Sequence, residues 1–427
     1  MSLKPTPLSL LIYQLFCRTY PLLLWMMAPF HPKARAWTSG RKNIFQKLES
    51  LRGKGPFVWV HCASLGEFEQ GRPVIESIRA NYPAHKILLT FFSPSGYENQ
   101  LHYQGADFIH YLPMDGPQHA KRFIEIVDPK LVIFVKYEFW FYYLKKLHYR
   151  NIPLLLISAH FRPNMSFFHW YGALSRKMLS RFHHIFVQEE ESKRLLADIG
   201  ISENVSVSGD TRFDRVVDIA SQPDPLPIIE NFLANKRAII VGSSWPTDEE
   251  LWQETWRSIE TTDLKLLIVP HEVGAAHVRK LRDLFPVAVL YSELEKEPSA
   301  DAKVLIVDRI GLLSKLYRYG WVNYVGGGLS PAGVHNVLEA AVYERPVISG
   351  PFIEKYQEAV ELVKQGGLQV LSGQSNVIEL SQLLESWGRN DEITRRMGQM
   401  SGAFVRERTG TVKKILTYIQ ENRLLIN

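Results

Sequence analysis

The sequence predicts an α/β protein: two doubly wound parallel-sheet domains facing a cleft, behind a short N-terminal membrane segment. Three observations carry this. From Phe57 onward, short uninterrupted apolar runs alternate with amphipathic stretches, the pattern of parallel strands covered on both faces. A stiff proline-rich stretch, Ser221 to Pro227, separates two such series. The length, 427 residues, suits two domains. The expected division is 1–35 (membrane anchor), 36–222 (first domain) and 223–427 (second domain), with the last helix free to pack back on the first domain.

Composition narrows the function classes. With 46% hydrophobic residues and no low-complexity run, disorder is not the default. The net charge of +6 suits an anionic partner such as a phosphorylated lipid, a nucleotide or a membrane surface. It is too small and too dispersed for nucleic acid. Two cysteines, Cys17 and Cys62, leave little room for a disulfide framework or a zinc site, and a reducing compartment is the simplest home.

Taken in order, the first element is the apolar run Leu8 to Phe30. Its length fits a membrane span, but Arg18 and Pro21 interrupt it. Lys33, Arg35, Arg41 and Lys42 follow, which would keep the rest of the chain cytoplasmic. A spanning helix, an interfacial anchor and a helix packed on the domain all remain open; a cleaved signal peptide fits poorly, because no small-x-small site follows. Strands are expected at Phe57–Cys62, Lys86–Phe92, Leu131–Val135, Leu154–Ile157, His184–Val187 and Val205–Ser208, with helices such as Gly71–Asn81, Pro117–Val127 and Glu189–Ile199 between them. The second series places strands at Ala238–Val241, Leu264–Val269, Val304–Val307 and Trp321–Val325, with a further strand entered at Pro346-Val347-Ile348.

The residues fit for chemistry fall at strand ends, where open parallel sheets bind ligands. Trp321–Val325 runs into Gly326-Gly327-Gly328, and a helix is expected from His335-Asn336, with Glu339 on the same face as His335. Such a strand–glycine turn–helix offers backbone N–H groups to an anion and a carboxylate to ribose hydroxyls. An ordinary βα turn fits the glycines equally well. In Ser64-Leu65-Gly66-Glu67, a glutamate at a helix start can act as a general base or simply complement the helix dipole. Ser93-Pro94-Ser95-Gly96 can hold an anion or cap its helix. Glu138, in an apolar setting, needs a cation or a substrate hydroxyl, and a structural ion pair with an arginine is the plain alternative. Arg212, read with the second domain, can hold a phosphate. Ser243 and Trp245 lie on a loop that can line the cleft, His271 can touch a phosphate or base, and Asp308 a sugar. No metal, P-loop or nucleophile-elbow motif is present.

In order, HCASLGEFEQGRPVI, TFFSPSGYE, YLPMDGP, YEFW, VSGDTRFD, GSSWPTDEE, IVPHE and GGGLSPAGVHNVLEAAVYERPVISGP give a chain that resembles the Kdo (3-deoxy-D-manno-octulosonic acid) transferases of Gram-negative lipopolysaccharide synthesis. The resemblance spans nearly the whole chain. It implies a GT-B fold with two Rossmann-like domains, the first binding the lipid A precursor and the second CMP-Kdo, at the cytoplasmic face of the inner membrane. It also implies inverting transfer without a metal or cofactor. By position it makes Glu67 the base and Glu138 a second essential carboxylate. Ser64, Gly66, Ser93, Ser95 and Gly96 fall on the acceptor side. Arg212, Ser243, Trp245, His271, Asp308, Gly327, Gly328, His335, Asn336 and Glu339 fall on the donor side. The sequence departs from the family pattern at Lys136-Tyr137-Glu138, at Ser158 to Arg162 and at Leu312, which leaves open how many Kdo units are added. Two other readings compete: a GT-B transferase or epimerase using a UDP-sugar, and a non-catalytic glycolipid-binding protein of this fold.

Overall fold

The computed structural model describes residues 7–222, 224–260, 262–297, 301–374 and 376–426. Pro223 of the expected linker and residues 1–6 of the expected anchor lie outside these. The chain forms two units, Met1–Asp214 with Gly410–Asn427, and Arg215–Thr409.

The first unit holds β1 (Phe57–Cys62), β2 (Lys86–Phe91), β3 (Phe108–Tyr111), β4 (Pro129–Val135), β5 (Leu154–Ala159), β6 (His184–Val187) and β7 (Val205–Val207). They form one parallel sheet in the order β3-β2-β1-β4-β5-β6-β7. The central strands are apolar on both faces because helices cover both, and every residue of β1 is buried. Trp59, Phe123, Phe134 and Tyr143 pack on one face; Phe68, Val74 and Ile78 pack on the other. The last helix, Thr411–Glu421, joins that second face through Val412, Ile415 and Ile419. Its first turn is tied down by the Asp214 carboxylate, which accepts from the N–H groups of Gly410 (2.8 Å) and Thr411 (3.1 Å).

The second unit holds β8 (Arg237–Ser244), β9 (Leu264–Pro270), β10 (Val289–Leu290), β11 (Val304–Ile306), β12 (Gly320–Val325), β13 (Val347–Ser349) and β14 (Leu368–Val370), in the parallel order β10-β11-β9-β8-β12-β13-β14. Both units are thus doubly wound. In the first the chain builds outward from β1 to β3 and then crosses to β4; in the second it runs from β8 to β9, sets β11 between β9 and the edge strand β10, and then crosses to β12. The order reverses between β1 and β4 in the first unit, and between β8 and β12 in the second.

Three strands escape the sequence pattern. β10 has two residues, β14 has three, and β3 carries His110 at its centre. The expected helix at His335 is also displaced. The backbone stays irregular through Asn336 and only Leu338–Ala341 is helical. Asn336 is the reason: its side-chain carbonyl accepts from Leu338 N–H (3.2 Å) while its amide donates to Glu339 (3.0 Å), holding the chain in a turn before the helix can start.

Helix α1 (Pro7–Met27) is, among the described residues, the one long and apolar enough to cross a membrane. It is followed by α2 (Pro32–Gly40). One face of α1 is docked on its own unit. Tyr13 packs on Phe141, and Tyr20 on Trp37 and Phe92, while Cys17 is buried beside Met114. The Tyr13 hydroxyl donates to Asp115 (2.6 Å) and accepts from Phe141 N–H (3.1 Å). Asp115 is buried and also takes the N–H groups of Tyr142 and Tyr143, and burial pushes its carboxyl up to about 6. Replacing Tyr13 by Phe strips a buried carboxylate of a donor and orphans the Phe141 amide. The expected cost is about 1–3 kcal/mol, read as a lowered unfolding midpoint of the full chain; an unchanged midpoint would show that α1 is not fastened through this hydroxyl.

Candidate functional site

In the first unit the reactive side chains gather where β1 and β4 end. His61, the penultimate residue of β1, is fully buried. Its Nε2 lies 2.8 Å from Glu138 Oε2, and its Nδ1 lies 2.8 Å from Thr90 Oγ1. Trp59 Nε1 donates to that same threonine oxygen (2.8 Å), and the Thr90 carbonyl also lies 3.0 Å from Nδ1. A carboxylate can only accept, so Nε2–H of His61 donates to Glu138. Trp140 Nε1 donates to the same carboxylate oxygen (2.6 Å). Glu138 is therefore held by a histidine and a tryptophan, and among the described residues no arginine pairs with it. Both bonds fall on Oε2, and among the described residues Oε1 takes none.

Glu67 sits in the first turn of the helix Leu65–Asn81, which leaves the end of β1. Its Oε2 reaches back to the cap, accepting from Ser64 N–H (3.1 Å) and from the Ser64 hydroxyl. The carboxylate thus has the helix-start role that its position suggested, with its other oxygen unbonded among the described residues. Cys62 lies between the acidic groups. Burial raises its thiol well above the ordinary range, and the charges of Glu67, Glu138 and Glu69 add to the rise. The thiol is therefore kept neutral.

Along the same sheet edge, β5 runs into His160 and Arg162, which the sequence singled out only as departures. His160 Nδ1 faces Glu189 (2.9 Å), and Arg162 Nε donates to His160 Nε2 (3.1 Å), so the ring is neutral with its proton on Nδ1. Burial lowers its pKa. Their one sequence signal was position at a strand end. Two backbones here hold positive φ without glycine, Lys136 (65°) and Ser158 (53°), a strain that clusters at functional sites. Arg212 belongs to this unit and not to the second, correcting the expectation. Its guanidinium grips Asp210 (2.7 Å), whose carboxylate also accepts Arg212 N–H.

The remaining first-unit candidates flank the same strand end, where Ser93 N–H donates to the Ala63 carbonyl (2.7 Å). Ser93 Oγ accepts from Ser95 N–H (3.2 Å), the capping role. Gly96 is required by packing, since a Cβ would lie 2.3 Å from the Phe91 ring. Gly66 is exposed, and a Cβ there would make ordinary contact with Ser64 Oγ at 3.9 Å.

The second unit is organised by a carboxylate that the sequence did not single out. Asp248 is fully buried and accepts from Tyr324 hydroxyl (2.7 Å), Trp245 N–H (2.9 Å) and Gly327 N–H (3.0 Å). It thereby ties the loop after β8 to the glycine turn after β12, the two strands flanking the order reversal. The glycines are forced by approach of backbone to backbone: a Cβ on Gly326 would lie 2.4 Å from the Ser243 carbonyl, and one on Gly328 2.8 Å from Gly350 N. Ser243 itself has φ 51°, at a bulge in β8.

Over this turn three rings stack. The centroids of His271 and His335 are 4.4 Å apart and those of Trp245 and His271 4.7 Å, with interplanar angles of 19° and 25°. Trp245 Nε1 donates to His335 Nε2 (2.8 Å), so the His335 proton is on Nδ1. Burial, with His271 beside it, lowers the His335 pKa to about 4. Trp245, His271, His335 and the glycine turn are thus brought together, and Asn336 with Glu339 follows directly. Asp308 is not part of this group: both its oxygens are taken by Ser292.

Residues 39–215 match the family model described as 3-Deoxy-D-manno-octulosonic-acid transferase (kdotransferase). The chain is 30% identical over 372 residues to the 3-deoxy-D-manno-octulosonic acid transferase of Aquifex aeolicus, covering 85% of this chain and 96% of that one. It is 26% identical over 377 residues to the Haemophilus influenzae protein of the same name, covering 85% and 86%. Among solved structures it resembles the UDP-GlcNAc 2-epimerase of Neisseria meningitidis, with a TM-score of 0.59 at 15% identity, covering 86% of this chain and all of that one. That likeness speaks for the two-domain GT-B architecture alone.

The ring stack predicts a pH response. The His335 pKa lies below its ordinary value of about 6.5, so the unfolded chain binds the proton more tightly. The stability contributed here is complete above about pH 6.5 and is lost as pH falls through about 4. An NMR titration of His335 should show protonation near that lower value. A titration near 6.5 would mean that the stack does not exclude water as described.

Proposed function

The chain belongs to the 3-deoxy-D-manno-octulosonic acid (Kdo) transferase family, and from that premise we propose that it transfers Kdo from CMP-Kdo to the lipid A precursor of lipopolysaccharide. The transfer is inverting and independent of metal, and it takes place at the cytoplasmic face of a Gram-negative inner membrane. The observation that supports this reading most directly is the pair of carboxylates at the order reversal of the first unit, Glu67 and Glu138, each with one oxygen held and the other unbonded among the described residues.

In the proposed reaction the acceptor hydroxyl gives its proton to Glu67 while its oxygen attacks the anomeric carbon of Kdo. The bond from that carbon to the CMP phosphate breaks, and CMP leaves with the electron pair. One displacement inverts the centre. Glu138, fixed by His61 and Trp140, accepts a hydrogen bond from the acceptor sugar and orients it. The negative charge on the departing phosphate falls to the second unit. There, Nδ1–H of neutral His335 supplies a donor fixed in advance, so little reorganisation is needed as charge develops. His271 shares the stack, and Glu339, which accepts from the Asn336 amide (3.0 Å), is the group assigned to the ribose hydroxyls.

The test is turnover of CMP-Kdo and tetra-acylated lipid A precursor by the full chain, followed by product mass. The Glu67→Ala chain should fold, retain CMP binding and lose about 10²–10⁴-fold in rate, the span typical of a general base. Full activity in that variant would remove Glu67 from the mechanism. An inactive wild type that still binds CMP would point to another acceptor.

A further inference from the structure

Between the C-terminal half of α1 and the helix α2 lies a cavity of about 950 Å³ that the transfer reaction leaves unused. Its apolar wall is Pro21, Trp25, Met26 and Trp37, and its polar side carries Arg35 and Lys42. Arg41 closes one end. Its guanidinium lies over the rings of Trp37 (4.0 Å), Tyr111 (4.5 Å) and Phe92 (4.9 Å) and donates to the carbonyls of Phe92 and Leu112. Arg35 likewise bonds only to carbonyls, those of Ala28 and Pro29. These cations meet no carboxylate among the described residues. The sequence shows why: seven Lys or Arg and not one Asp or Glu precede Glu49, which accounts for the whole excess charge of the chain. A cavity with one apolar wall and several uncompensated cations matches one kind of ligand, an amphiphile with a phosphate.

The outer surface of α1 says where that ligand resides. Opposite the docked face of Tyr13, Cys17 and Tyr20 runs a stripe of Leu8, Leu11, Leu15, Leu22 and Met26, each about half or more exposed. A helix fastened along its length to its own domain cannot cross a bilayer, but it can lie in the interface with this stripe in the acyl region. The cavity then opens at headgroup depth.

We propose that α1 lies in the plane of the membrane and that the cavity between α1 and α2 seats the phosphate of an anionic lipid, with its acyl chain against Trp25 and Met26. This does not depend on the transfer reaction, and its test reads lipid binding instead of turnover.

The experiment titrates the full chain with dihexanoyl phosphatidic acid below its micelle concentration, and separately with vesicles of phosphatidylcholine alone or mixed with phosphatidylglycerol. Arg35→Gln with Lys42→Gln should weaken binding of the soluble lipid about thirtyfold, about fivefold for each charge. Lys33→Gln with Lys47→Gln removes the same charge outside the cavity and should leave binding of the soluble lipid intact while weakening vesicle binding. Should the Arg35 substitution disturb the turn it bonds to, Lys42→Glu alone, at an exposed position, should give the same ordering. Equal losses in both double variants would overturn the cavity in favour of diffuse surface charge. Displacement of the soluble lipid by inorganic phosphate at equal concentration would show a free-anion site and overturn the lipid assignment.

Discussion

A parallel sheet whose strand order reverses must leave a gap at the reversal, because the segments leaving the two neighbouring strands turn to opposite faces. Both units obey this constraint, and the candidate chemistry follows from it. At β1 and β4 the gap receives Glu67 and Glu138. At β8 and β12 it receives Trp245 and the glycine turn. No loop has to fold into an improbable shape to bring these residues together; the winding of the sheet does it.

What differs between the units is how each gap is furnished, and in both a buried carboxylate does the arranging. In the first unit Glu138 takes donors from His61 and Trp140. In the second, Asp248 takes three donors from three segments and fixes the geometry without facing a ligand. Burying a carboxylate is costly unless its oxygens are satisfied, so each holds its donors in one arrangement. Asp115 repeats the device where α1 meets its unit. The result suits preorganisation: one site offers oxygens to accept a proton or a hydroxyl, and the other a ring N–H, that of His335, toward an anion.

Much of this was legible in the sequence, and the failures have physical reasons. Long apolar strands such as β1 and β4 could be read directly, because burial on both faces leaves a continuous signal. Glu67, the glycine turn and His335 were visible as strand-end residues of unusual type. Asp248 was not, since one aspartate in a helix's first turn looks like a dipole partner. His61 was hidden inside an apolar strand, so the sequence did not name it as the partner of Glu138. Arg212 was assigned to the wrong unit because its nearest landmark in sequence was the proline-rich stretch, whereas its nearest in space is Asp210. In α1, Tyr13, Cys17 and Tyr20 read as part of one apolar run, although they form its docked face.

The account stands on the second unit being a nucleotide site built by Asp248, the glycine turn and the ring stack. The direct measurement is calorimetric titration of the full chain with CMP, beside Asp248→Asn and His335→Ala chains confirmed to be folded. The account predicts saturable binding of CMP to the intact chain and strong weakening in both variants. Binding that both substitutions leave unchanged would place the nucleotide elsewhere and contradict it.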